Sequence, residues 1–107
     1  MIRFFSLLTV LVCSTFVRTA AQPQVIAHRG YWTKENSVQN SRNSVQNAIE
    51  AKCWGAEIDV YLTTDGKVVL FHDPELNGKR IDNSTYAGLK DFRLANGETL
   101  PLLEEIL

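Results

Sequence analysis

The chain has 107 residues, 45% of them hydrophobic and 21% charged, with a formal net charge of −1. This balance excludes a disordered or fibrous chain and bounds the molecule at one ordinary domain. It carries no electrostatic footprint for nucleic acid and no basic run that would seek an anionic membrane surface.

The first 21 residues read differently from the rest. Met1-Ile2-Arg3 is positive, Phe4 to Val17 is mostly apolar, and Thr19-Ala20-Ala21 offers small residues before Gln22-Pro23. This is the layout of a secretory signal peptide over residues 1–21, cut after Ala21. The apolar run is shorter than the ~18–20 residues a membrane span needs, so no stable membrane anchor is expected. Val12 is too bulky a neighbour for a lipoprotein site at Cys13. Cleavage removes Arg3 and Arg18, leaving a net charge of −3, and Cys53 becomes the sole cysteine. A secreted or periplasmic chain without an internal disulfide follows. Cys53 itself, near a helix end, reads as a small buried hydrophobe rather than a nucleophile.

Residues 22–107 form the folded portion. Val25 to His28 reads as a buried strand, Gly30 to Asn40 as a loop, and Ser41 to Lys52 as an amphipathic helix. Val45, Ala48 and Ile49 give that helix its spacing, with Asn40 or Ser41 as its cap. Trp54-Gly55 ends it, and a second strand runs from Ala56 to Leu62. Strand, helix, strand is a parallel βαβ unit, so the fold class is α/β. Asp65-Gly66 signals a hairpin to Val68–Phe71. With a two-residue turn, Leu62 faces Val69 and Asp59 faces His72, with Glu57 about 7 Å along the same face. A one-residue slip would break that arrangement. Further on, Asn77-Gly78 and Asn96-Gly97 mark turns, Asn83 or Ser84 caps a short helix through Leu89, and Pro101 suits a first helical turn. The apolar stripe from Leu102 to Leu107 has no C-cap, and the chain is expected to be an N-terminal fragment. Asn-Ser-Val-Gln-Asn occurs at 36–40 and again at 43–47; it is too short to indicate a solenoid and carries no functional weight here.

The chemistry-bearing residues lie at strand ends. His28 and His72 are the only two histidines in the chain. Glu57 and Asp59 lie between them, and Arg29 follows the first. Singly, each has an ordinary structural role as a surface or hydrogen-bonded residue. Together, two proton carriers, a carboxylate pair and an arginine form a catalytic kit. Imidazole titrates near neutral pH and serves as acid or base. Paired carboxylates suit a hard cation, and a guanidinium forks onto phosphate oxygens.

His28-Arg29-Gly30, an Asn-Ser pair, Glu57-x-Asp59, Thr64-Asp65-Gly66, His72-Asp73 and the stretch Asn96 to Glu105 resemble the N-terminal half of the glycerophosphodiester phosphodiesterases. The resemblance covers residues 25–107. It implies a (β/α)8 TIM barrel, incomplete in this chain, that hydrolyses glycerophosphodiesters to glycerol 3-phosphate and an alcohol. It implies a divalent cation, Mg²⁺ or Ca²⁺, held by Glu57 and Asp59, with a further carboxylate from a later strand. His28 and His72 are then the acid/base pair and Arg29 the phosphate contact. The partner is a small-molecule glycerophosphodiester. Attack by the substrate's own glycerol hydroxyl would give a cyclic phosphate that water opens. The family's Glu-Asn-Thr/Ser motif matches Glu35-Asn36-Ser37 by letters and Gln39-Asn40-Ser41 by distance to Glu57. The second alignment is preferred, and Glu35 stays outside the site. Two alternatives stay open: a related phosphodiesterase acting on a lipid head group, and a catalytically inactive truncated fragment. A barrel of this type needs roughly 250 residues, so the 86 residues after the signal peptide are expected to be inactive alone.

Overall fold

Strand β1 (Ile26–His28) opens the described residues, which run from 22 to 107 in this computed structural model. The expected signal peptide, with Cys13, lies outside them. Helix α1 (Arg42–Glu50) starts at Ser41, whose hydroxyl accepts from the Ser44 N–H at 2.9 Å, while Ser44 Oγ accepts from the Ser41 N–H at 3.2 Å. This reciprocal box satisfies backbone donors that a helix start leaves open. The helix ends before Lys52. Lys52 takes a left-handed backbone (φ 57), its N–H donates to Ile49 O, and the Cys53 N–H donates to Ala48 O. This is a Schellman ending, in which a left-handed residue folds the chain back onto the last carbonyls. Lysine takes the position usually given to glycine, and Gly55 instead begins β2 (Gly55–Glu57).

β1 and β2 pair in parallel, with Ile26, Ala27 and His28 opposite Gly55, Ala56 and Glu57. The expected βαβ unit is present. The single strand expected over 56–62 is not. It breaks at Ile58-Asp59, and β3 (Val60–Leu62) joins a separate antiparallel sheet with β4 (Val68–Leu70). The break has its cause at Asp59. Its N–H donates to Asn40 Oδ1 at 3.0 Å, while its carbonyl accepts from the Phe71 N–H at 3.1 Å. Its two backbone groups therefore serve two different parts of the fold. Nor is the segment buried on both faces among the described residues: Val60 is 44% exposed and Ile58 half-buried.

The hairpin forms at the expected place but one residue out of register. Tyr61, not Leu62, faces Val69, and Phe71, not His72, comes level with Asp59. The loop holds three residues. The Thr63 N–H donates to Lys67 O at 2.8 Å, the Gly66 N–H donates to Thr63 O at 3.1 Å, and Gly66 has φ 79. A turn followed by a left-handed residue adds one position to the loop and slides the pairing by one. Thr63 Oγ1 locks this form by accepting from the Lys67 N–H at 2.9 Å and donating to Asp65 Oδ1 at 2.5 Å. The same five-residue pattern recurs from Leu94 to Glu98, with Gly97 at φ 87. Asn77-Gly78 forms a two-residue turn between β5 (Glu75–Leu76) and β6 (Lys79–Arg80), both turn residues at positive φ.

Helix α2 (Tyr86–Leu89) is capped by Thr85, because Asn83 is taken into a short 3-10 turn, Ile81–Asn83, and Ser84 ends it. Helix α3 (Leu103–Ile106) starts two residues past Pro101. The residues before it lie along β4: Val69 bridges Leu102, and the Leu70 N–H donates to Pro101 O at 2.9 Å. The main apolar cluster joins Val69, Leu76, Ile81, Leu89, Leu100 and Leu102, all from β4 onward. Cys53 is half-buried behind α1.

Candidate functional site

The parallel register of β1 and β2 sets His28 beside Glu57, with Nε2 3.4 Å from Glu57 Oε2. The chain then turns sharply, with Arg29 at φ 59 and Gly30 at φ 77. A left-handed arginine is strained, and such strain persists only where the surroundings fix it. Here they do. The Arg29 carbonyl accepts from the Asn40 N–H at 2.9 Å and from Ser44 Oγ at 3.2 Å, and Gln39 Oε1 accepts from Arg29 Nη1 at 2.6 Å. Arg29 Nε is buried without a hydrogen-bond partner among the described residues and lies 3.6 Å from Asp59 Oδ2. Asn40 Nδ2 donates to that same Asp59 oxygen at 3.0 Å.

The fold thus gathers four of the five expected residues, His28 with Glu57 and Arg29 with Asp59. It does not bring His72 to Asp59. The register slip puts Phe71 at that level, and the His72 ring meets Asp73 instead, with Nδ1 2.9 Å from Asp73 Oδ1. The His72 ring forms its ion pair with Asp73, not with Glu57 or Asp59. With Asp73 ionised, an Nδ1–H donates to it, which leaves Nε2 as the ring nitrogen open to a proton on a substrate. Asp73, the second residue of the His72-Asp73 motif, orients the imidazole. Tyr61 adds a second hold by donating its hydroxyl to the His72 carbonyl at 3.0 Å.

Among the described residues, no group of three or more His, Cys, Asp or Glu side chains is gathered closely enough to hold a metal ion. Glu57 and Asp59 are the carboxylates at this end of β2, and their hard oxygens match Mg²⁺ or Ca²⁺. Mg²⁺ is commonly held by one or two carboxylates, with waters and substrate phosphate completing its shell, so the donors fit.

Gln39 and Asn40 are the site neighbours whose roles the sequence left open. Their contacts favour the Gln39-Asn40-Ser41 alignment, and Glu35 stands exposed in the loop. The repeated Asn-Ser-Val-Gln-Asn also has a use after all. Its first copy supplies Gln39 and Asn40. Its second supplies Ser44, against the Arg29 carbonyl, and Asn47, whose Nδ2 donates to Tyr31 O at 3.2 Å. The signal for this was an unusual density of amides beside the first motif.

The family model described as "Glycerophosphoryl diester phosphodiesterase family" matches residues 28–107. A glycerophosphodiester phosphodiesterase of Bacillus altitudinis is 32% identical over 78% of this chain and 38% of its own length. The chain spans under two fifths of the curated relatives it matches. Among solved structures, a glycerophosphodiester phosphodiesterase from Parabacteroides distasonis is 51% identical, with a TM-score of 0.75 over 78% of this chain and 35% of that one. One from Thermotoga maritima is 36% identical, with a TM-score of 0.62 over 78% and 37%. These neighbours are TIM barrels, and the described residues form an α/β portion of that barrel. Motif order, strand register and likeness to solved relatives agree, and the chain belongs to the glycerophosphoryl diester phosphodiesterase family.

Proposed function

We propose that the full-length protein hydrolyses glycerophosphodiesters to glycerol 3-phosphate and an alcohol, using Mg²⁺ or Ca²⁺. The observation that carries this reading is the β1–β2 register, which sets His28 against Glu57 and leads directly into the Arg29–Asp59 pair. A phosphodiester resists attack because its anionic oxygens repel nucleophiles. Arg29 meets those oxygens with N–H donors fixed in a plane. Glu57 and Asp59 hold the cation, which when bound neutralises charge on the phosphate. One imidazole takes the proton of the attacking hydroxyl and the other returns a proton to the leaving alkoxide. Asp73 keeps His72 in one orientation for that exchange. The 1–21 segment directs export, so the substrate is met in a secreted or periplasmic setting. No helix among the described residues is long and apolar enough to cross a membrane.

A second reading has one observation in its favour. An apolar cavity of about 450 Å³ lies beside the site, lined by Trp32, Val38, Gln39, Phe71, Phe92 and Leu94. Gln39 is the partner of Arg29, and Phe71 precedes His72. A diester with an apolar leaving group, such as a lipid, would find burial there.

The test is release of glycerol 3-phosphate from glycerophosphocholine by the full-length protein, stripped with EDTA and then resupplied with Mg²⁺ or Ca²⁺. Activity is expected to vanish on stripping and return with the ion. Metal-independent release would contradict the cation's role. An inert glycerophosphocholine alongside a cleaved lysophospholipid would favour the second reading.

A further inference from the structure

We infer that Gln39 and Asn40 are positioning residues, one for the phosphate-binding arm and one for the cation-binding arm of the same site. The inference rests on the function proposed above and deepens it. Two adjacent loop residues reach the two charged groups separately. Gln39 Oε1 accepts from Arg29 Nη1 at 2.6 Å, while Asn40 Nδ2 donates to Asp59 Oδ2 at 3.0 Å and Asn40 Oδ1 accepts from the Asp59 N–H at 3.0 Å.

Asn40 therefore grips Asp59 by side chain and backbone at once, which fixes how its carboxylate is turned. It commits Oδ2 and leaves Oδ1 for a cation. Asn40 is 1% exposed, and its amide hydrogen bonds replace the water it has lost. Both holders are amides, and that chemistry matters. An amide orients a charged neighbour without adding a counter-charge of its own, so Gln39 and Asn40 hold the Arg29–Asp59 pair in place without further neutralising it. Gln39 occupies one guanidinium nitrogen and leaves other donors of the fork for substrate.

The loop that carries the pair is built to be stiff. The Asn40 N–H donates to the Arg29 carbonyl at 2.9 Å, and Ser41 starts α1. Glu98, arriving from the far hairpin, accepts from the Arg42 N–H at 2.8 Å and the Asn43 N–H at 3.3 Å. Arg42 in turn pairs with Glu105 and donates to Thr99 O at 2.9 Å. Asn40 sits at φ 55, so Asn40→Gly removes the side chain while keeping a backbone that glycine adopts freely.

The experiment uses the full-length protein, metal-stripped, and three readouts: calorimetric titration with Mg²⁺ or Ca²⁺ alone, KM and kcat at saturating metal, and the thermal midpoint. Removing a partner that orients a ligating carboxylate typically costs about 10–100-fold in metal affinity. Asn40→Gly is expected to lose about 10-fold or more in cation affinity, with kcat largely recovered at saturating metal. Gln39→Ala is expected to raise KM several-fold and leave cation affinity within about twofold. A merely structural role would instead lower the thermal midpoint and both affinities together, in both variants. That pattern, unchanged cation affinity in folded Asn40→Gly, or unchanged KM in Gln39→Ala overturns the inference. Should Asn40→Gly not fold, Asn40→Ser in the same calorimetric titration tests the cation arm, while Gln39→Ala tests the phosphate arm; unchanged cation affinity in folded Asn40→Ser would likewise overturn the inference. A wild-type protein without phosphodiesterase activity would overturn the proposed function instead, a different result from normal activity with unaffected variants.

Discussion

At Gly30 the first motif passes within side-chain reach of helix α1. A Cβ built there would lie 2.6 Å from Ser44 Cβ and 2.8 Å from the Ser44 backbone carbon, and clash with its hydroxyl. The backbone, at φ 77, also favours glycine. Gly30→Ala must therefore push α1 away or distort the turn that carries Arg29. A cost of about 1–3 kcal/mol is expected, read as a lower urea midpoint. An unchanged midpoint would contradict the close packing. The sequence marked Gly30 as the start of a loop and the end of the first motif, not as a packing contact. Nothing in a chain of letters states that a helix residue 14 positions away lies against it.

The elements were legible where one local signal decided them. β1, α1, the Asp65-Gly66 hairpin and the Asn77-Gly78 turn all formed where periodicity and turn chemistry put them, but β1, read as a buried strand, has only Ala27 covered among the described residues. Two features turned on long-range partners and were not legible. The break at Asp59 depends on Asn40 and Phe71, 19 residues before it and 12 after. The Schellman ending at Lys52 depends on no glycine, so composition gave no sign of it. Lys52→Gly is expected to raise stability by about 0.5 kcal/mol. Relief of the left-handed strain outweighs the entropy glycine gains in the unfolded chain. A lower denaturation midpoint would contradict that conformation.

The hairpin register rests on Thr63 and Asp65, and it has a pH signature. The Thr63 hydroxyl, then the Tyr86 N–H, hold the Asp65 carboxyl below its ordinary value of 3.8. A folded-state value below the unfolded one means stabilisation that is complete above pH 3.8 and lost as pH falls through the folded-state value. The thermal midpoint of wild type should exceed that of Asp65→Asn by a constant margin near neutral pH. The margin should shrink only in acid, below 3.8. A margin that grows in acid would contradict the hydrogen bonds assigned to Asp65.

At the scale of the whole molecule, the site is split between two bodies of structure. His28, Arg29 and Glu57 come from the parallel βαβ unit, while His72 comes from the antiparallel hairpin packed on the main apolar cluster. Asp59, lying between β2 and β3, is the hinge of that division. The βαβ unit leaves apolar surface uncovered, with Ile26 54%, Ile49 62% and Trp54 66% exposed. A two-stranded parallel sheet is not independently stable, since both of its faces and both edges need cover. The motif residues were legible because their chemistry is written in residue type and order. Their mutual distances were not, because one loop residue at Gly66 shifts His72 by a whole position.

On the proposed function, His28 at the end of β1 and His72 two residues past β4 act on one phosphodiester. Glycerol 3-phosphate release by the full-length protein, compared across His28→Ala, His72→Ala and the double variant, tests it directly. Each single change is expected to slow release by about 100-fold or more. The double variant should be scarcely slower than the slower single one, because residues that act as a unit are not additive. Full activity in either single variant would contradict the claim, as would losses that simply multiply.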